Sequence, residues 1–255
     1  MNTMRDITVM ILAGGMGTRL REETETKPKP MIEIGGEPIL FHLIDQYSLH
    51  GASNFIILGG YKFEYVLNYM RSQAWITEDS TSELIRFSAT RCGRTLSISV
   101  IDTLLESNTC ERINMARNQI SGEVFAVSYG DSIANVNFTE EINFHTSQEK
   151  LATVTAVRPR SRFGRLDIDE KSRVTKFDEK PIMNEWVNGG FLLFDMKAFE
   201  ILSKFKSLEV EALPFLSSIG ELVAFKHFEF WQPMDTYREY KILSDMWEEN
   251  EGKFW

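Results

Sequence analysis

The junction at residues 7–17 limits most strongly what this chain can fold into. There the apolar, β-branched run Ile7 to Ala13 stops abruptly at Gly14-Gly15-Met16-Gly17. Such a run predicts a strand buried on both faces, and strands of that kind belong to parallel sheets covered by helices. The following segments keep the rhythm. Helical spacing runs from Pro38 to Leu49 (Ile39, Leu40, Leu43, Ile44, Tyr47), Gly51 stands just beyond it as a terminator, and Phe55 to Leu58 is a second short apolar run. A second helix is expected over Tyr61 to Tyr69, two strands over 84–102 around a Cys92-Gly93 turn, and a third helix over Arg112 to Gln119. Val124 to Val127 then reads as a central strand ending at the polar Tyr129-Gly130-Asp131. From about residue 151 strands dominate: Leu151 to Val157, Gly164 to Ile168, Val174 to Phe177 and Val187 to Phe194. Alternating strands and helices predict parallel βαβ units, with a strand-rich C-terminal elaboration after them. No long linker interrupts the pattern, so residues 1–255 are expected to form one domain whose halves meet near residue 150.

With 43% hydrophobic and 25% charged residues the chain falls among ordinary globular proteins, which excludes disordered, collagenous and disulfide-scaffold classes. The formal charge of −9 and the lack of a dense Lys/Arg block argue against nucleic acid or an anionic membrane as partner. Any bound phosphate must be caught by local groups. No apolar run reaches the roughly 20 residues that cross a bilayer, and Met1 to Asp6 lacks the character of a signal peptide, so a cytoplasmic protein is expected. Cys92 and Cys110 have no metal-ligand spacing and are expected as free thiols.

Chemistry concentrates in a few places. In an open α/β sheet ligands bind beyond the carboxyl ends of strands, and glycines there let backbone N–H groups approach a phosphate chain. The stretch Leu12-Ala13-Gly14-Gly15-Met16-Gly17-Thr18-Arg19 meets that description, without the GxGxxG spacing or the Lys-Ser/Thr ending of the two best-known phosphate loops. Alone, the glycines would equally suit a plain strand-to-helix turn. Lys29 stands between Pro28 and Pro30, which fix the chain around it and hold its side chain in a defined place. Asp131 sits where an apolar strand stops, and Asp235 follows Phe230-Trp231-Gln232-Pro233-Met234. Two such aspartates could hold Mg²⁺, which takes one or two carboxylates and completes its shell with water and phosphate oxygens. Equally, Asp131 could cap a turn, and Asp235-Thr236 could cap a helix from Tyr237 to Trp247. Glu179-Lys180-Pro181 and Asn188-Gly189-Gly190 complete the candidates, while His42, His50, His145 and His227 give no nucleophile triad.

Assembled, these segments resemble the sugar-phosphate nucleotidyltransferases. The resemblance is carried by residues 9–40 (VMILAGGMGTRLREETETKPKPMIEIGGEPIL), 47–62, 127–136, RFGRLDI at 162–168, DEKP at 178–181, VNGGFLLF at 187–194 and GELVAFKHFEFWQPMDT at 220–236. It implies a Rossmann-like α/β fold, a mixed and mostly parallel sheet flanked by helices, with a nucleotide-binding first half and an acceptor-binding second half. It implies transfer of CMP from CTP to a sugar 1-phosphate, glucose 1-phosphate foremost, with Mg²⁺ as cofactor, a role in polysaccharide biosynthesis and a homo-oligomeric state. Carried over residue by residue, it assigns Leu12 to Arg19, Lys29, Ser107 and Arg112 to the nucleotide. Asp131 and Asp235 fall to the metal, and Tyr129, Gly130, Glu179, Lys180, Asn188 and Gly189 to the acceptor. Arg19, Lys29, Asp131 and Asp235 would carry catalysis. The chain departs from the family pattern at Thr109-Cys110-Glu111-Arg112, where two glycines are expected in place of Cys110 and Glu111. That departure raises the alternative of a different phosphorylated acceptor; a second alternative, a catalytically silent nucleotide-binding subunit, has the intact set Arg19, Lys29, Asp131 and Asp235 against it.

Overall fold

The computed structural model describes residues 3–17, 20, 24–80 and 85–250. Its strands are β1 (Thr8–Ala13), β2 (Glu33–Ile34), β3 (Glu37–Pro38), β4 (Asn54–Gly59), β5 (Ile76–Glu78), β6 (Ile85–Arg91), β7 (Arg94–Asp102), β8 (Val124–Tyr129), β9 (Ser132–Ala134), β10 (Ala152–Val157), β11 (Arg165–Ile168), β12 (Val174–Asp178), β13 (Val187–Asp195), β14 (Leu222–Lys226) and β15 (Trp231–Pro233). The α-helices are α1 (Ile39–Leu49), α2 (Phe63–Ser72), α3 (Thr109–Met115), α4 (Phe138–Gln148), α5 (Phe199–Leu202), α6 (Leu213–Ser218) and α7 (Tyr237–Glu249).

A nine-stranded sheet in the order β14-β10-β13-β8-β1-β4-β7-β6-β5 runs through both halves of the chain. Pairing is parallel between β8, β1, β4 and β7 and between β10 and β14, whereas β13 and β6 run against their neighbours. Strand β1 shows why the centre is parallel. Val9, Ile11 and Ala13 pack into a core under α1, α2 and α4, while Met10 enters a second core with Cys110, Ile113 and Phe199 under α3 and α5. A strand with apolar partners on both faces needs a helical layer on each, and βαβ crossovers supply them.

The reversal of β13 matters for function. The carboxyl ends of β1, β4, β7 and β8 share one edge, and an antiparallel β13 begins where those strands end. Phe191 pairs with Ser128, which sets Asn188 to Gly190 beside Tyr129 to Asp131. A short ladder, Trp231 with Ala134 and Pro233 with Ser132, then folds the C-terminal segment back, and the Met234 N–H donates to the Asp131 carbonyl at 2.8 Å. A third core of Leu20, Ile32, Ile34, Ile39, Ile133, Met234 and Leu243, with Tyr240 and Trp247 against it, seats α7 behind that ladder.

Most expected elements are present with ends moved by a few residues. The third helix starts earlier than expected, at Thr109, because Asn108 and Glu111 form a capping box at its N-terminus. Asp235 does not cap the last helix; Thr236 does, with Glu239 as its capping-box partner. Both cysteines are free, Cys92 exposed and Cys110 buried. Among the described residues no helix is long and apolar enough to cross a membrane.

Candidate active site

At the carboxyl edge of β1 and β8 opens a cavity of about 430 Å³, within the range of small-molecule sites. Leu12, Gly14, Gly15 and Gly17 form one wall, Lys29 and Pro30 the floor, Ser107 to Thr109 and Arg112 a second wall, and Tyr129 to Asp131, Glu209 and Asp235 the remainder.

Lys29 is the centre of the charge arrangement. Pro28 precedes it in extended conformation and a 3₁₀ turn over Lys29–Met31 follows, so the backbone is set on both sides. Its Nζ lies 2.6 Å from Asp131 Oδ2 and 2.7 Å from Asp235 Oδ1, with Lys29 only 8% exposed. Burial by itself would lower the ammonium pKa, but the two carboxylates outweigh it and raise it. The ladder of β9 with β15 creates this meeting, since it brings Asp235 back beside the end of β8.

Arg112 is equally buried and differently employed. Its guanidinium donates to the carbonyls of Gly59 (3.0 Å), Leu104 (2.9 Å), Leu105 (3.1 Å) and Gly14 (3.3 Å) and to the Thr103 hydroxyl. One planar cation thereby ties the loops after β1, β4 and β7 together, with desolvation pulling its pKa down. Its neighbours are glycine for a steric reason: a Cβ on Gly14 would stand 2.2 Å from Nη1, and one on Gly60 2.4 Å from it. Gly17 takes a left-handed conformation, φ +61°, over Thr24 and Lys29.

Sequence reasoning missed Glu209. It lies in a turn of π-helix over Leu208–Ala212, and its carboxylate accepts from Tyr129 Oη at 2.6 Å and from Thr109 Oγ1 at 2.8 Å. Burial first, and then this carboxylate, push the Tyr129 phenol well above its ordinary range. Asn188 Nδ2 donates to the same phenol oxygen at 3.2 Å, so a hydrogen-bonded chain crosses the cavity wall from Asn188 to Thr109. Nothing local marks Glu209 in the sequence; only the fold carries it to the cavity.

Of the expected site residues, Leu12, Gly14, Gly15, Gly17, Lys29, Ser107, Arg112, Tyr129, Gly130, Asp131 and Asp235 line the cavity. Ala13 is buried in β1 and Met16 is exposed beside the loop. Asn188 and Gly189 reach the site edge through Tyr129 and through the Trp231 indole, which donates to the Gly189 carbonyl at 2.7 Å. Glu179 and Lys180 do not line the cavity; their side chains pair with each other at 3.1 Å, just past β12. Thr18 and Arg19 lie outside the described residues. Cys110 and Glu111, where the sequence departs from the family pattern, do not line the cavity. Cys110 faces the apolar core, where burial and then nearby glutamates raise its thiol to about 12, and Glu111 accepts from the Asn108 N–H at 2.8 Å as a helix cap.

A glycine-walled cavity at the carboxyl edge of a parallel sheet, with a lysine and two carboxylates converging in it, defines a nucleotide-handling α/β protein. The chain belongs to the nucleotidyl transferase family, whose description fits residues 8–228. It is 39% identical over 250 residues to the glucose-1-phosphate cytidylyltransferase of Salmonella typhi, covering 95% of this chain and 96% of that protein. A mannose-1-phosphate guanylyltransferase catalytic subunit beta of Drosophila melanogaster is 29% identical over 236 residues, covering 89% of this chain and 60% of that one. The crystal structure of HddC from Yersinia pseudotuberculosis shares the fold with a TM-score of 0.69 at 23% identity, covering 94% of this chain and 99% of that one.

Proposed function

We propose that the chain transfers CMP from CTP to glucose 1-phosphate, releasing pyrophosphate and forming CDP-glucose. The observation that carries the chemistry is the convergence of Lys29, Asp131 and Asp235 on one point of the cavity wall. The choice of nucleotide and sugar rests on near full-length identity of 39% to a cytidylyltransferase acting on glucose 1-phosphate, against 29% for a relative with other specificities.

In such a reaction a phosphate oxygen of the acceptor attacks the α-phosphorus of the nucleotide in line, and pyrophosphate leaves. That oxygen is already ionised near pH 7, so no general base is required. The residues have to bring two polyanions together and stabilise the leaving charge. The glycine loop offers backbone N–H groups with no side chains in the way, and Lys29 supplies a positive charge against the phosphates. Arg112 keeps the loops in shape from behind. Tyr129, held between Asn188 and Glu209, forms the acceptor side of the wall.

The two carboxylates also fit a divalent cation. One oxygen of each lies within hydrogen-bonding distance of a single positive centre, the Lys29 ammonium, which stands in for a cation there. Mg²⁺, a hard ion that takes one or two carboxylates and completes its shell with phosphate oxygens and water, would be held by Asp131 and Asp235 and would supply charge stabilisation to the nucleotide phosphates. A cytoplasmic location, a homo-oligomeric state and a place in polysaccharide biosynthesis accord with this reading.

The deciding experiment measures pyrophosphate release over a matrix of CTP, UTP, GTP, ATP and dTTP against glucose, mannose and galactose 1-phosphates, with and without Mg²⁺. The reading predicts one dominant cell, CTP with glucose 1-phosphate, and dependence on the cation. A dominant purine nucleotide, or a dominant sugar other than glucose, would refute it.

A further inference from the structure

We propose that Lys29 acts as an internal counter-ion that occupies the cation seat between Asp131 and Asp235 and gives it up when a divalent cation binds, so that cation entry delivers the ammonium into the cavity. The inference rests on the cation reading above but not on the identity of nucleotide or sugar.

The geometry carries it. Nζ touches one oxygen of each carboxylate, at 2.6 and 2.7 Å. A magnesium ion held by the same two oxygens would sit at about 2.0–2.1 Å from them. Two positive centres drawn to the same pair of oxygens repel each other, and the doubly charged ion attracts those oxygens more strongly than the ammonium does. One must leave.

The lysine's freedom lies in its stem. Its backbone is pinned by Pro28 and by the 3₁₀ turn that follows, and the Lys29 Cβ lies against Gly17, so displacement has to come from rotation along the flexible four-carbon chain. Because Lys29 forms the cavity floor, a displaced ammonium stays beside the space that phosphates would fill. While it remains between the aspartates it also offsets the repulsion of two neighbouring carboxylates, which keeps the seat assembled.

The consequence is competition. The protein without nucleotide should bind divalent cations weakly, and nucleotide phosphates should strengthen that binding by giving the displaced ammonium a new partner. The probe is Mn²⁺ alone, titrated by electron paramagnetic resonance into wild type, Lys29→Met and Lys29→Met/Asp131→Asn, with no nucleotide or acceptor present. Lys29→Met should bind one Mn²⁺ at least tenfold more tightly than wild type, and the double variant should lose that gain. Equal or weaker binding by a folded Lys29→Met, or a gain that survives Asp131→Asn, would overturn the exchange. Should Lys29→Met fail to fold, wild type labelled with ¹³Cε-lysine gives the answer in a nuclear magnetic resonance titration with Mg²⁺. The Lys29 resonance must shift as the cation saturates, and an unmoved Lys29 signal at saturation refutes the proposal. Because none of these readouts uses CTP or a sugar phosphate, failure here leaves the specificity matrix to stand or fall independently.

Discussion

The Arg112 guanidinium closes directly over Gly14: Nη2 donates to the Gly14 carbonyl at 3.3 Å, and Nη1 leaves no room for a Cβ on that residue. The same cation holds Gly59, Leu104 and Leu105 by their carbonyls. The glycine wall of the cavity is therefore shaped by a residue in α3.

Replacing Arg112 with lysine keeps the charge but not the fork of donors, so at least two buried carbonyls lose their partner. Each unmet buried group costs about 1–3 kcal/mol, and urea denaturation should show a loss of about 3 kcal/mol. Gly14→Ala should leave stability less affected but weaken CTP binding at least tenfold by calorimetry, because the loop must shift to admit the methyl group. An Arg112→Lys protein as stable as wild type would show that the carbonyl contacts contribute little.

On the proposed reading, Asp131→Asn and Asp235→Asn should each lower the rate of pyrophosphate release at least about 100-fold, since each removes a carboxylate that would hold the divalent cation. Stability should change little, by about 1 kcal/mol, because Lys29 keeps one carboxylate and the aspartate side chains are about 30% exposed. Retention of full activity by either variant at saturating Mg²⁺ would remove that residue from the catalytic set.

Restoring the family's glycines at Cys110 and Glu111 should harm the protein. Cys110 fills a buried place beneath α3 and Glu111 completes the capping box with Asn108. Losing both, with two glycines placed in the first turn of a short helix, should cost about 3 kcal/mol in chemical denaturation. Steady-state kinetics with glucose 1-phosphate should show no gain in kcat/KM, and a clear gain would reinstate these residues as determinants of the acceptor.

The β1–glycine junction was legible because a doubly buried strand leaves an uninterrupted apolar run, and its abrupt end marks the ligand-binding edge. Lys29 was legible from its prolines, and Asp131 from the strand that it ends. What could not be read was which groups meet. Nothing near Lys29 says that its ammonium lies between Asp131 and Asp235, because the β9–β15 ladder that creates the meeting is made of two three-residue strands. Arg112 enters from the sequence only through the family resemblance, and nothing around it there says that its guanidinium also holds the carbonyls of Gly14, Gly59, Leu104 and Leu105. Glu209 is invisible locally because it reaches the cavity from a π-helical turn with no periodic signature. The departure at Cys110-Glu111 is opaque for a related reason: the sequence alone does not say that Cys110 turns into the core and that Glu111 caps α3.

Glu141 offers a test away from the site. It is 1% exposed in α4, accepts a hydrogen bond from the Thr155 hydroxyl, and burial pushes its carboxyl from 4.5 to about 7. A carboxyl with a raised folded pKa binds its proton more tightly in the native state, so stability falls as pH rises from about 4.5 and levels off above about 7. That displacement corresponds to about 3 kcal/mol at pH 8. Tyr47, held well above its ordinary range by burial first and then by Glu141, stays neutral throughout this window. His145, on the same helix, has its pKa lowered by burial and destabilises the fold in the opposite direction, as pH falls, but it does so in wild type and variant alike. Glu141→Gln keeps an acceptor for Thr155 and removes the titration. Urea denaturation at pH 5 and at pH 8 should therefore show little difference between the two proteins at the lower pH and a variant about 3 kcal/mol more stable at the higher one. A difference that does not change between the two pH values would mean that Glu141 ionises at its ordinary pKa within the fold.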